Sequence, residues 1–444
     1  MTVHSTPQRQ PAQPNGQQPG RRAGVDEHID RLHRLLAPVL QNRESITLDV
    51  DQGPGGRLVS AAEVKSPVPL PGFDNSQMDG FALRLSDLVA AGDEGASPRL
   101  RLAGIVPAGT AAAELVPGTC QAVMTGSPIP AGADAVIPVE RTADGFSVLD
   151  AHAAGEHPFV HFTELQDQDL QTGRFIRTAG SDLQQGAVIL QAGDVMTPAR
   201  WGLLAGCGIR EITALSPIRT LVVTTGEEVQ APGEPLAPGQ LYDASRALIR
   251  EACQAFGHQV ATARVPSDEP AIFIQTLEAL QQQHQPQLII TAGGISAGAY
   301  EVVRQGLQAR GVEFGSVAQQ PGGPQGWGRL GDAALVAMPG NPVSTAVTLQ
   351  VLLHPVLAAL DPACPPQRRV LVHTAEQLSS PAGLRQYRRV RLQTPEDRAV
   401  AEAHPVGGPS SHLLAHLAAA DALLELREDD TEVPAGTERE AILL

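Results

Sequence analysis

Lysine is nearly missing from this chain. Among its 444 residues Lys65 is the only one, so arginine carries almost all of the positive charge. That charge is outweighed: 32 basic residues against 48 acidic ones leave a net charge of −16. Affinity for nucleic acid rests on basic side chains, so this balance excludes nucleic acid as a partner. A protein this acidic that binds an anion does so through focused local groups, not through its overall field. Cysteine is also scarce. Cys120, Cys207, Cys253 and Cys364 lie far apart with no Cys-x-x-Cys pair, which argues against a disulfide framework or a thiolate metal site. No apolar run reads as long enough to cross a bilayer, and the polar, Gln/Pro-rich start shows no signal pattern. These absences predict a cytoplasmic protein with no membrane partner. A chain of 444 residues exceeds what one core holds, so three or four domains are expected.

Residues 1–23 are Gln, Pro, Gly and Ser with little apolar content and read as a disordered tail. Ile29, Leu32, Leu35, Leu36 and Val39 follow at helical spacing, predicting an amphipathic helix over 28–40. In 69–83, Asp74, Asn75, Ser76 and Asp79 crowd a stretch held extended by Pro69, Pro71, Gly72 and Gly80. Two readings stand: a loop whose Asx side chains cap their own backbone, or a polar site with Asp79 as general base or metal ligand. Residues 85–180 alternate short apolar runs with Gly/Pro turns and read as β-rich. There Thr125 stands where a strand ends and a rigid Pro128-Ile129-Pro130 turn begins, either capping the turn or facing a cleft.

From Leu221 the texture becomes α/β. A β-branched strand, 221–225, stops at Gly226, Glu227 and Glu228, and Asp243 is a plausible N-cap for the apolar run that follows it. Leu288, Ile289 and Ile290 end a second buried strand, and Gly293, Gly294 and Gly298 mark a tight loop before a helix. Such a loop is an anion cradle in form, since glycines let backbone N–H groups approach an oxyanion, and Ser296 adds a hydroxyl. A third strand ends in Pro339-Gly340-Asn341-Pro342-Val343-Ser344. Three loops thus follow strand C-termini in a βαβ pattern, and ligands gather at that edge of such sheets. Beyond Pro365 the chain turns β-like again, with Gly407-Gly408-Pro409-Ser410-Ser411 ahead of a short helix.

Taken together, residues 71–82, 124–130, 225–229, 293–298 and 338–344 resemble, in this order, the signatures of the molybdopterin molybdenumtransferase family, also seen as the molybdenum-inserting domain of gephyrin-like proteins. The resemblance covers about residues 25–440. It implies an α/β plus β, multidomain fold: a linker and dimerisation domain from 24–68 and 181–217, a β-rich inserted domain over 69–180, a three-layer α/β domain with a mostly parallel sheet over 218–366, and a C-terminal β domain over 367–444. The implied activity is insertion of molybdate into adenylylated molybdopterin with Mg2+-assisted release of AMP. Also implied are a homodimer whose cleft joins the α/β domain of one subunit to the inserted domain of the other, a molybdopterin adenylyltransferase as supplier, and partners in molybdoenzyme maturation.

Carried over position by position, the resemblance gives catalytic roles to Asp79, Thr125, Glu228, Asp243 and Glu301, with Glu228 and Asp243 as ligands of Mg2+. Binding roles fall to Gly226, Gly293, Gly294, Ser296, Gly298, Pro339, Gly340, Asn341, Pro342, Ser344, Arg389 and Ser411. The chain departs from the family at Gln320 and Gly323, where lysines are usual, at Ala299 and Glu301, where aspartate is, and at Ser181, where glutamate precedes Asp182. The missing lysines support a second reading, a weakened homologue that carries or scaffolds the cofactor. A third reading comes from Gly294-Ile295-Ser296-Ala297-Gly298, which satisfies the nucleophile elbow of a serine hydrolase, with His354, His373 and His404 downstream.

Overall fold

The computed structural model describes residues 22–53, 56–92, 97–296, 301–396 and 399–444. The start of the expected tail, Gly298 and Ala299 lie outside the described residues.

The α/β body is built on a six-stranded sheet in the order Gln259–Val265, Arg219–Thr225, Leu288–Ala292, Ala333–Met338, Pro324–Leu330, Glu313–Ser316. The first four strands run parallel and the last two antiparallel. Side chains alternate across a strand, so each strand feeds both faces. Leu221, Val223, Ile289 and Leu335 pack with Phe273 and Leu277 of helix Pro270–His284 on one side. Val222, Ile290 and Val336 pack on the other with Ile249 and Cys253 of helix Ala244–Ala255. Both faces are covered, which gives three layers.

Helix Val25–Leu40 joins this second face: its buried Leu32, Leu36 and Leu40 belong to the core that holds Val222 and Ile290. The sequence grouped this helix with the linker. Its apolar stripe is taken up by that core, and the linker sheet starts only at Ser45.

A second departure concerns Pro342–Leu360. The sequence reading found no run of bilayer length, yet these 19 residues form one helical stretch whose most apolar window has a mean hydropathy of 1.7. That window is 72% buried, and Val347, Leu352, Leu353 and Leu357 lie in the core under the sheet. It is a core helix. Its middle widens into a π-helical turn at Leu349–Leu353, next to Pro355, whose ring nitrogen has no hydrogen to give to the helical ladder.

The linker pairs Ser45–Asp49 and Val59–Ser60 with Glu211–Leu215 in an antiparallel sheet over Leu58, Leu190, Met196 and Leu204. The inserted domain is a five-stranded sheet ordered Ala135–Pro138, Gly80–Leu83, Thr119–Val123, Arg99–Val106, Phe159–His161, packed on Phe81, Leu102 and Phe162. At the C-terminus, Arg385–Gln393 pairs with both Glu402–Pro405 and Ala422–Leu426, which closes five strands into a barrel around Val372, Val390 and Leu424. One short strand crosses between bodies. Gln319–Gln320, leaving the α/β sheet, pairs in parallel with Arg385 and Gln386 of the barrel.

Candidate functional site

A cavity of about 680 Å³ opens at the C-terminal edge of the parallel strands. Its walls are the expected loops: Gly226 and Glu228; Gly293, Gly294 and Ser296 with Glu301; and Pro339, Gly340, Asn341, Pro342 and Ser344. Asp243 lines it as well. The loops can close on one another because glycine stands where they meet. Gly226 has φ +123°, and a Cβ there would overlap the Glu228 carboxylate; a Cβ on Gly340 would sit 3.0 Å from the Gly293 Cα.

Each polar residue has a definite local task. Asn341 caps the helix it precedes, its carboxamide oxygen accepting from Val343 N at 3.0 Å and Ser344 N at 3.1 Å. Ser245 donates to Gly340 O at 3.0 Å, tying helix Ala244–Ala255 to that loop. The Glu301 carboxylate accepts from Ser296 N at 2.8 Å, so this amide is engaged within the loop. Asp243 is 3% exposed. Its Oδ2 accepts the Thr224 hydroxyl at 2.6 Å, Oδ1 accepts Arg246 N at 2.9 Å, and the Arg246 guanidinium lies 3.2 Å from Oδ2. Glu228, by contrast, is exposed at the cavity wall.

A second cavity, of about 560 Å³, adjoins the first and shares Pro324 and Ser344 with it. Gln319, Gln320, Pro321, Gly322 and Gly323 line one side, Ser410 and Ser411 of the barrel another, and Arg22 a third. The interdomain strand sets this wall. Gln386 Nε2 donates to Gln320 Oε1 at 2.6 Å across the pairing, and Gln319 Nε2 holds the Pro321 and Gly322 carbonyls at 3.2 and 3.1 Å.

Arg389 is 3% exposed and donates to Gly408 O, so it braces the loop that presents Ser410 and Ser411. Burial lowers its guanidinium below the usual arginine range.

Asp79 and Thr125 meet each other, but no residue of the inserted domain lines either cavity among the described residues. Asp79 Oδ1 accepts the backbone N–H and hydroxyl of Thr125, and these bonds hold its carboxyl below the ordinary value of 3.8.

The sequence reading missed Thr224, Ser245 and Asp268 and gave Thr225 no role beyond its place in the first loop; all four line the first cavity. Asp268 follows the fourth parallel strand, Gln259–Val265, whose C-terminal loop had the same claim as the other three. Thr225 is 4% exposed, and its hydroxyl has no hydrogen-bond partner among the described residues. Two threonines ending a β-branched strand were the available signal.

The hydrolase reading lacks its base. Among the described residues no histidine lines the cavity. His354 is stacked on Phe256 at 4.4 Å and bonded to Pro365 O at 2.8 Å, while His373 and His404 stand on barrel strands.

Residues 23–208 match the family described as MoeA N-terminal region (domain I and II), residues 221–359 the probable molybdopterin binding domain, and residues 372–444 the MoeA C-terminal region (domain IV). The chain is 38% identical to molybdopterin molybdenumtransferase 2 of Mycobacterium tuberculosis over 430 residues, 93% of this chain and 98% of the relative. It is 34% identical to molybdopterin molybdenumtransferase of Haemophilus influenzae over 304 residues, 68% of this chain and 70% of that one. A crystal structure of the molybdopterin biosynthesis moeA protein from Pyrococcus horikoshii shares the fold with a TM-score of 0.71 at 22% identity, covering 96% of this chain and 100% of that one. With three consecutive domain matches and near full-length similarity at this identity, the chain belongs to the MoeA family of molybdopterin molybdenumtransferases.

Proposed function

We propose that this chain is the transferase of molybdenum cofactor biosynthesis that inserts molybdate into adenylylated molybdopterin and releases AMP. The observation that carries the reading is the pair of adjoining cavities sharing Ser344 and Pro324. The first has carboxylates beside glycine loops, which suits a pyrophosphate and its counter-ion. Among the described residues the second is lined by amides, hydroxyls and one guanidinium, with no carboxylate, which suits a tetraoxoanion.

Mg2+ is a hard cation that takes one or two carboxylates and completes its shell with water and substrate phosphates. Among the described residues no three His, Cys, Asp or Glu side chains cluster to hold a metal unaided. Glu228 and Asp243 on one wall fit that partial role, with Asp243 oriented by Thr224 and Arg246 and Glu228 exposed to the cavity. Mg2+ would neutralise the pyrophosphate and the charge moving onto the leaving phosphate. The chain's own part is positional. The Asn341 cap and the Ser245 tie hold the loop after Met338, and Glu301 holds the loop after Ala292. Together they fix the substrate cradle.

Asp79 and Thr125 have no place in the cavities of their own chain, which supports a homodimer in which a second copy brings them to the cleft. A molybdopterin adenylyltransferase would supply the substrate and molybdoenzyme-maturation proteins receive the product. All four cysteines are free and buried, in keeping with a reducing cytoplasm.

The test is reconstitution with adenylylated molybdopterin, Mg2+ and a molybdate titration, scoring AMP and active cofactor together. Saturable, molybdate-dependent AMP release that Glu228→Ala and Asp79→Ala abolish is the expected result. AMP release indifferent to molybdate would overturn the reading.

A further inference from the structure

Arg22 lines the second cavity together with Gly322, Gly323, Ser344 and Ser411. In a chain of net charge −16, a polar cavity with a guanidinium and no carboxylate among its described lining residues is a departure from the average surface. Field focused by local groups is how an acidic protein holds an anion. Arg22 supplies that focus. Among the described residues no carboxylate forms an ion pair with it, whereas Arg43, Arg246, Arg369 and Arg385 each have one.

The backbone around Arg22 fixes where it stands. Ala23 N donates to Ser316 O at 2.9 Å, and Ala318 N donates to Ala23 O at 2.7 Å, so the residue after Arg22 is pinned beside the strand that opens the cavity wall. Ala23 is 8% exposed, and Gly24 leads straight into helix Val25–Leu40, whose Leu32 and Leu36 are buried in the α/β core. Arg385 clamps Asp26 in the first turn of that helix with bonds of 3.1 and 3.0 Å, tying the same point to the barrel. The α/β body and the barrel therefore both hold the segment, and the guanidinium needs to give up only its own rotamer freedom on binding.

We infer that Arg22 is a binding residue for the tetraoxoanion substrate, supplying from the N-terminal segment the positive charge that Gln320 and Gly323 do not. The inference rests on the proposed function, which gives the second cavity its oxyanion. A charged hydrogen bond from a guanidinium to an oxyanion is among the stronger polar contacts, and its loss weakens binding by about tenfold.

The experiment uses the full chain and its Arg22→Ala and Arg22→Lys variants. Molybdate is titrated at saturating adenylylated molybdopterin, and molybdate binding is measured separately by calorimetry. Arg22 is exposed and Ala23 beside it is held by backbone bonds, so both variants fold. Arg22→Ala is expected to raise the KM and Kd for molybdate about tenfold, with the KM for adenylylated molybdopterin and the thermal midpoint unchanged. Arg22→Lys restores most of the affinity, and the salt dependence of molybdate binding is shallower in Arg22→Ala than in the parent. A parent chain that turns over while Arg22→Ala keeps the parent's molybdate KM and Kd overturns the inference and leaves the proposed function standing. A parent chain that neither binds nor consumes molybdate overturns both.

Discussion

One oxygen of Asp79 takes two hydrogen bonds from a single residue 46 positions away, Thr125, through its backbone N–H at 2.6 Å and its hydroxyl at 2.8 Å. Both bonds favour the charged carboxylate, the backbone one most, and they outweigh burial, which pushes the other way. The folded pKa is therefore below the unfolded one. The pair's contribution is present above the unfolded pKa and is lost as pH falls through the folded value. Thr125→Val removes the hydroxyl and keeps the amide, so the Asp79 carboxyl should move back part of the way towards 3.8. Carbon-detected NMR titration of that carboxyl measures it. An unchanged pKa would mean that the amide alone sets the charge. Asp79→Ala should abolish turnover and lower the thermal midpoint slightly, because both Thr125 bonds go with the carboxylate.

Asp243 allows capping to be separated from charge. Asparagine is as good an N-cap as aspartate, so Asp243→Asn keeps helix Ala244–Ala255 started while removing the negative group from the cavity wall. Turnover should fall at least tenfold, and the denaturant midpoint should also fall, because an amide NH2 then faces the Arg246 guanidinium and the Thr224 hydroxyl. Thr224→Val leaves the charge in place. It takes the 2.6 Å hydroxyl from a carboxylate that is 3% exposed, and a buried acceptor losing its donor destabilises by about 1–3 kcal/mol. Urea unfolding followed by circular dichroism measures both losses, and a Thr224→Val variant as inactive as Asp243→Asn would contradict the assignment.

Gly226→Ala tests the loop that carries Glu228. The backbone there has φ +123°, which costs a side chain about 1–3 kcal/mol. The new methyl would also overlap the Glu228 carboxylate, which is the end of a flexible side chain and swings away. Expected are a modest loss of stability and a loss of Mg2+-dependent AMP release as large as that of Glu228→Ala. Full activity in Gly226→Ala would mean that Glu228 does not work from the position seen here.

The first cavity was legible because its walls are local in sequence. Each comes from a few residues after a β-branched strand, where glycine, proline and Asx types stand out against an apolar background. Asp243 was read as a helix cap from its position alone, and its bond to Arg246 N is that cap. The second cavity was legible only through the family resemblance, which pointed to Ser344, Ser411, Gln320 and Gly323 but not to Arg22. Arg22, Gln320 and Ser411 are far apart in the sequence, and the bonds of Ala23 to Ser316 and Ala318, with the pairing of Gln319–Gln320 with Arg385 and Gln386, bring these segments to one place. Thr125 was ambiguous for the same reason, since its partner Asp79 becomes its neighbour only when the inserted sheet forms. Helix Pro342–Leu360 was overlooked because Ser344, Thr345, Thr348, Gln350, His354 and Pro355 interrupt its apolar run, and burial, not sequence contrast, defines it.

The neutral wall of the second cavity can be recharged. A Cβ on Gly323 meets nothing nearer than Ser316 Oγ at 3.4 Å, an ordinary contact, so a side chain can start there without displacing its neighbours. Gln320 accepts from Gln386 Nε2 at 2.6 Å, and its replacement leaves that buried amide without its acceptor, a loss of about 1–3 kcal/mol in stability. Gln320→Lys with Gly323→Lys should lower the KM for molybdate severalfold, at some expense in thermal midpoint. In that background Arg22→Ala should weaken molybdate binding less than it does in the parent, because the added charges share its work. Fully independent effects in this double-mutant comparison would argue that the residues do not face one anion.

His28 sets an acid limit on the α/β core. It is fully buried in helix Val25–Leu40, edge-on to Trp327 at 5.0 Å, and neither ring nitrogen has a hydrogen-bond partner among the described residues. Burial, with Arg31 adding like charge, lowers its pKa from 6.5 to about 4. Between those values the unfolded chain takes up a proton that the folded chain refuses, so stability declines as pH falls from 6.5 towards 4 and levels off below. The loss from this one group is on the order of 3 kcal/mol. His258, lowered to about 3 chiefly by burial, adds a slope of the same sign, so the informative quantity is a difference between variants. His28→Leu keeps an apolar side chain against Trp327 and has nothing to protonate. Its urea midpoint, followed by tryptophan fluorescence, should drop less between pH 7 and pH 4.5 than the parent's. An equal drop would place the acid sensitivity of this core elsewhere.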